Sequence, residues 1–179
     1  MAYQHTNITD TITKIALSPP MAGFENFICC WIYQGKETFI VDPGPAATAD
    51  ELLQALADMG ITSLDYILLT HIHIDHAGGV AKISNAFPNA PVVCHKIAIP
   101  HLTDPEKLWQ GTVKTLGDTG RAYGKILPVP QERLVDAEGF STKSVRAIIT
   151  PGHAPHHVSF ITTDGELFAG ETAGVNIPF

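Results

Sequence analysis

Short apolar runs alternate along the chain with polar turns and with stretches of helical periodicity. Residues 12–17, 26–33 and 37–41 are apolar or alternate apolar with polar at a spacing of two, the pattern of strands joined by turns. Residues 50–60 differ. Leu52, Ala55, Leu56 and Met59 recur at helical spacing and Gly60 follows them, which predicts an amphipathic helix closed by a glycine. Tyr66-Ile67-Leu68-Leu69 predicts a buried strand, residues 79–86 a helix and residues 91–95 another strand. Residues 145–149 and the run at Leu167-Phe168 predict two more strands. Strands interleaved with helices indicate an α/β (α+β) protein. Residues 105–124 are the least patterned. Trp109 and Tyr123 bracket a stretch holding Gly111, Gly117 and Gly120, as a helix-loop over a pocket would. That makes Trp109 and Tyr123 candidate substrate contacts, with ordinary packing on the sheet as the alternative reading.

Candidate chemistry sits where the predicted strands end. Thr70-His71-Ile72-His73-Ile74-Asp75-His76 follows the 66–69 strand directly, and Gly78-Gly79 are expected to let the backbone turn before the next helix. His71 and His73 can lean to one side, while Asp75 and His76 can face a second point nearby. Neutral imidazoles with a carboxylate suit zinc, with iron and manganese as rivals. A second cluster, Thr150-Pro151-Gly152-His153-Ala154-Pro155-His156-His157, follows the 145–149 strand, and Gly170-Glu171 follows the Leu167-Phe168 strand. Three strand ends thus each offer a ligand. The chain has no Gly-x-Ser-x-Gly elbow and no phosphate-binding glycine loop, so a metal must carry the chemistry.

The His-x-His-x-Asp-His loop, a His after Pro-Gly and an acid after a Gly together resemble the metallo-β-lactamase superfamily. Thr-His-x-His-x-Asp-His-x-Gly-Gly is most similar to its hydroxyacylglutathione hydrolase and lactonase branches. The likeness runs from about Ile15 to Glu171. It implies a four-layer αβ/βα sandwich and a metal-activated hydroxide acting on an ester, thioester, lactone or related carbonyl of a small molecule. His71, His73 and His153 would hold a first Zn2+, and Asp75 and His76 would begin a second site. Asp75 would also handle the proton of the nucleophile or leaving group. Asp42 and His157 match positions that support the ligands from behind; for Asp42 a turn-forming role before Pro43-Gly44 stands beside that. His156 is expected to be a solvated loop histidine. The family's bridging acid is Asp, and here Glu171, one methylene longer, is expected to touch at least one metal. The family also places a further His downstream, whereas no His follows His157. The expectation is therefore one domain over residues 1–179, lacking C-terminal elements, with sheet surface left open to self-association as a homo-oligomer. Two other readings remain open: an iron-dependent redox enzyme of the same superfamily, and a metal-binding scaffold without turnover.

Composition narrows the partners. A net charge of −7 with no basic stripe disfavours nucleic acid. No apolar run reaches membrane-spanning length, and the N-terminal residues do not resemble a signal peptide. Cys29, Cys30 and Cys94 have no spacing for a disulfide framework, which suggests buried thiols in a reducing cytoplasm.

Overall fold

The computed structural model describes residues 3–24 and 27–174. Its strands are β1 (Gln4–Asn7), β2 (Ile12–Leu17), β3 (Ile28–Gln34), β4 (Thr38–Val41), β5 (Tyr66–Leu68), β6 (Val92–Cys94), β7 (Leu134–Asp136), β8 (Val145–Ile149), β9 (Val158–Thr162) and β10 (Leu167–Phe168). Its helices are α1 (Ala49–Asp58), α2 (Ile74–Ala77), α3 (Val80–Ala86), α4 (Ile99–Thr103), α5 (Glu106–Leu116) and α6 (Asp118–Tyr123). Strands β1 to β7 form one sheet in sequence order, and β10-β9-β8 form a second. Residue 26, placed at the head of a predicted strand, lies outside the described residues.

Side-chain alternation divides the interior in two. In β4, Ile40 joins a core with Leu52 and Leu56 of α1, whereas Phe39 and Val41 point the other way and meet Phe160 and Phe168 of the second sheet. Strand β5 divides similarly, with Ile67 towards the helices and Leu68 towards the second sheet. A period-two strand buried on both faces must be apolar throughout, which is why β4 and β5 read as unbroken apolar runs. The layers are therefore helices, large sheet and small sheet, and no described helix follows β7.

Strand directions then set the chemistry. β1 to β4 are antiparallel neighbours, but β4, β5, β6 and β7 run parallel. The carboxyl ends of β4, β5 and β6 consequently open on one edge, the usual place for ligands in such sheets.

Several elements depart from the sequence reading. Strand β1 is polar and exposed, so it carries no apolar period and was not predicted; it is held by pairing to β2. Gly78 and Gly79 form the expected turn before the next helix, but without the positive φ that glycine permits. Both are right-handed helical, joining α2 to α3. Their role is close approach: a Cβ on Gly78 would lie 2.7 Å from the Ala46 amide nitrogen, and the Gly79 N–H donates to the Gly44 carbonyl at 2.8 Å. Residues 105–124 are more regular than their pattern suggests, forming α5 and α6 around Gly117, whose φ of 57° breaks the helix.

Candidate metal centre

Each cluster of functional side chains begins where a strand stops. Strand β4 runs into Asp42, the one non-glycine among the described residues with positive φ (54°), a conformation Asp tolerates better than most residues. Strand β5 runs into Thr70 and the His71–His76 segment, which ends as the short helix α2 rather than an open loop. The small sheet brings His153, His156 and His157 between β8 and β9, and Glu171 in the turn after β10. The Val158 N–H donates to the Thr70 carbonyl at 2.7 Å, linking the two sheets beside the histidines.

Residues 80 to 100 positions apart in sequence meet here. One nitrogen each from His71, His73 and His153 and a carboxylate oxygen of Glu171 all lie within 4.8 Å of one another. His153 Nε2 is 2.9 Å from His73 Nδ1 and 2.5 Å from Glu171 Oε2, and His71 Nε2 is 3.5 Å from the same oxygen. Glu171 therefore reaches the three histidines despite its longer side chain.

The hydrogen bonds behind His71 dictate its tautomer. Asp42 accepts from the Thr70 N–H at 2.8 Å and from the Thr70 hydroxyl at 2.6 Å. With its proton committed to Asp42, Thr70 Oγ1 accepts from His71 Nδ1–H at 3.0 Å. His71 Nε2 is then a bare lone pair, buried and without a hydrogen-bond partner among the described residues. An unmatched buried acceptor costs roughly 1–3 kcal/mol, which a cation at this point would offset. Burial, reinforced by the neighbouring histidines, drives the His71 pKa far below its ordinary value, and burial lowers that of His73 as well. Neutral imidazoles aimed at one point with a carboxylate beside them are a donor set that fits a transition-metal ion.

A second grouping shares His71. Donor atoms of Asp42, His71 and His76 lie within 4.8 Å of one another. His76 Nδ1–H donates to Asp42 Oδ2 at 3.0 Å, and His76 Nε2 is 3.7 Å from Asp75 Oδ2. Burial lowers the His76 pKa, but the Asp42 hydrogen bond and the nearby carboxylates outweigh it and carry it to about 9. Asp75 itself joins neither grouping; it stands beside His76, at the border of two cavities. Asp42 is thus a buried anchor for the two groupings, held in left-handed conformation at the end of β4 rather than in a turn.

Residues 26–177 match the family model described as the metallo-beta-lactamase superfamily. The chain belongs to this superfamily. The metallo-beta-lactamase fold-containing protein ST1585 of Sulfurisphaera tokodaii is 33% identical over 149 residues, covering 78% of this chain and 54% of that protein. A hydroxyacylglutathione hydrolase of Vibrio campbellii is 33% identical over 150 residues, covering 82% of this chain and 46% of the enzyme. The crystal structure of ST1585 superposes with a TM-score of 0.78 at 29% identity, covering 94% of this chain and 66% of that one. The chain spans about half the length of these curated relatives.

This superfamily member orders the remaining candidates as follows. His157 is fully buried and stacks on His71 at 5.4 Å. Its Nε2 accepts from the Glu171 N–H at 3.2 Å, so Nδ1 carries the proton and faces the hydroxyls of Thr150 (2.9 Å) and Thr172 (3.0 Å). It thereby fixes the turn that presents Glu171. Gly170 is required in that turn: φ is 55°, and a Cβ would lie 2.6 Å from His157 Nε2. His156 corrects the sequence reading. It is half-buried rather than solvated, with Nε2 lacking a hydrogen-bond partner among the described residues, and burial with the charges of His73, His95 and His101 takes its pKa down to about 4. Trp109 and Tyr123, the candidate substrate contacts, pack against the helix-side core instead, and neither lines the two cavities that border the histidines. Thr70, Thr150 and Thr172 were missed as positioning residues because a threonine near a strand end carries no sequence signal of its own; adjacency to the histidines was the one clue.

No cysteine joins either ligand grouping, although Cys29 lines the cavity that Asp42 and His76 border. Cys30 and Cys94 are buried, burial pushes every thiol up (Cys29 to about 11 and Cys94 to about 12), and all three are free. No described helix is long and apolar enough to cross a membrane.

Proposed function

We infer that this superfamily member is a metal-dependent hydrolase acting on an ester, thioester, lactone or related carbonyl group of a small molecule, with Zn2+ as the favoured metal. The observation that carries this reading is the convergence of three imidazole nitrogens and one carboxylate on a single point, with the His71 lone pair left bare. His71, His73, His153 and Glu171 would hold one ion; His76, with Asp42 behind it, would contribute to a second. When bound, such an ion supplies a water of pKa near 7 and polarises a carbonyl. The chain's own residues do the rest. Asp75, which borders both cavities next to His76, would accept the proton of the attacking water and return it to the leaving group. The Asp42–Thr70 pair would hold His71 in the required tautomer, and His157 would hold the turn that presents Glu171, before metal or substrate arrives. The likeness to a protein named hydroxyacylglutathione hydrolase supports the reaction class without assigning the substrate.

The test is elemental analysis of protein purified without chelator, followed by hydrolysis of activated esters and thioesters. The expected result is one or two zinc ions per chain, metal-dependent turnover, and severe loss of metal in His71→Ala and His153→Ala. Full metal content in either variant would remove the proposed first site, and iron with redox colour would move the reading to oxidation chemistry.

A further inference from the structure

Two cavities border the histidine cluster, and one has a floor that the ligand set does not explain. It encloses about 660 Å³, within the range of small-molecule sites. It is lined by His73, His153 and Glu171 of the proposed metal site and by Asp75. From there it runs along α5. The α5 residues facing it are Lys107, Leu108, Gly111, Thr112, Thr115 and Leu116, pairs that recur every four residues and so form one continuous stripe. Ile72, Ile74, Ile97 and Pro155 close the opposite side.

Three features give this stripe a purpose beyond packing. First, α5 has no fully buried residue, and of the stripe only Leu108 packs against the helix-side core. Second, Ile97 and Leu116 are large apolar side chains left 49% and 45% exposed, and both face this cavity. Third, Gly111 sits mid-helix with ordinary helical φ, where glycine is unfavourable relative to alanine, and nothing lies within 4 Å of where its Cβ would be. Neither backbone conformation nor crowding by the protein calls for glycine here. The space it leaves opens into the cavity, on the side of α5 that is exposed.

We propose that this cavity is the acyl subsite: it receives the apolar acyl chain of the substrate, with the carbonyl carbon at the histidine end, and Gly111 sets the length of chain admitted. This rests on the hydrolase reading and adds the substrate class, a carboxylic ester or thioester with an unbranched apolar acyl chain of several carbons. Hydrolysis leaves the corresponding carboxylic acid, whose carboxylate would remain at the cluster while its chain lies along α5. His156, half-buried and with its ring centroid 6.2 Å from that of His73, also lines the cavity. The other cavity, beside Trp31 and Phe168, borders Asp42 and His76 instead and does not include α5.

The test measures binding independently of turnover. Acetate, butyrate and octanoate are titrated by calorimetry into the zinc-loaded chain and into zinc-loaded Gly111→Leu, with Gly111→Ala as a folding control. Each methylene buried is worth up to about fourfold in affinity, so octanoate should bind at least about tenfold tighter than acetate to the native chain. In Gly111→Leu that advantage should fall below about twofold, with zinc content and helicity unchanged; Gly111→Ala should melt no lower than the native chain. Equal affinity for acetate and octanoate, or a preference that survives Gly111→Leu, overturns the subsite. Hydrolysis of p-nitrophenyl acetate, butyrate and octanoate run in parallel separates the two readings. Chain-length-dependent binding without any hydrolysis leaves the subsite standing and removes the hydrolase. Hydrolysis with no chain-length dependence in binding does the reverse.

Discussion

Asp42 concentrates more of the site's order than any metal-facing residue. Its carboxylate accepts from the Thr70 amide, the Thr70 hydroxyl and His76 Nδ1, and through Thr70 it determines which nitrogen of His71 is bare. Replacing it with Asn keeps the shape but puts an amide N–H2 where an acceptor is required. Asp42→Asn should therefore lower stability by about 1–3 kcal/mol and weaken zinc binding about 10- to 100-fold, read by urea unfolding and by titration against a competing chelator. An unchanged zinc affinity would show that the tautomer of His71 is set by something else. At this scale the sequence was most informative about residues that cluster. His71, His73 and His153 stand out because their spacing is unusual, and the acid after Gly170 follows from the same strand-end logic. His156 misled because an exposed loop was assumed, whereas the 151–157 turn folds back against the large sheet's histidines.

Among the elements, the turn between α2 and α3 shows a glycine pair kept for close approach rather than for backbone freedom. Helix propensity alone says that alanine at Gly78 should stabilise by about 1 kcal/mol. The contact says the opposite, because the added methyl would press on the Pro45–Ala46 backbone that connects β4 to α1. Gly78→Ala should lower stability by about 1–3 kcal/mol through this overpacking. The sign of the change in thermal midpoint decides between the two. A rise would mean that the 44–46 segment yields easily and that its coupling to the ligand helix is weak. Strands β2 to β6 and helices α1 and α3 were legible, since each presents a clear apolar period. Strand β1 has none, and in the 105–124 region glycines masked helices whose faces are only half-buried.

For the whole molecule, the metal-free chain carries opposing titrations. His71, His73, His156 and His157 have pKa values lowered chiefly by burial, so they are neutral in the fold where the unfolded chain would protonate them. Protons then favour unfolding, and stability is lost as pH falls below the ordinary histidine value near 6.5. His76, raised to about 9, works the other way: its contribution is complete below about 6.5 and is lost as pH rises through about 9. Chelator-treated protein should thus melt highest near pH 7, with lower midpoints at pH 5 and pH 9.5 in scanning calorimetry. A midpoint that climbs steadily towards pH 5 would contradict the placement of these histidines in the interior.

By itself the sequence determined the superfamily, the mixed α/β class, and the positions of the histidines and acids at strand ends, because these depend on local periodicity and short spacings. Only the tertiary structure decided that residues 71 and 171 share one point, that Asp42 selects the tautomer of His71, and that α5 borders the site with a stripe centred on glycine. Those facts arise from strand order and the meeting of two sheets, and no local pattern along a chain encodes the distance between segments that fold together from a hundred residues apart.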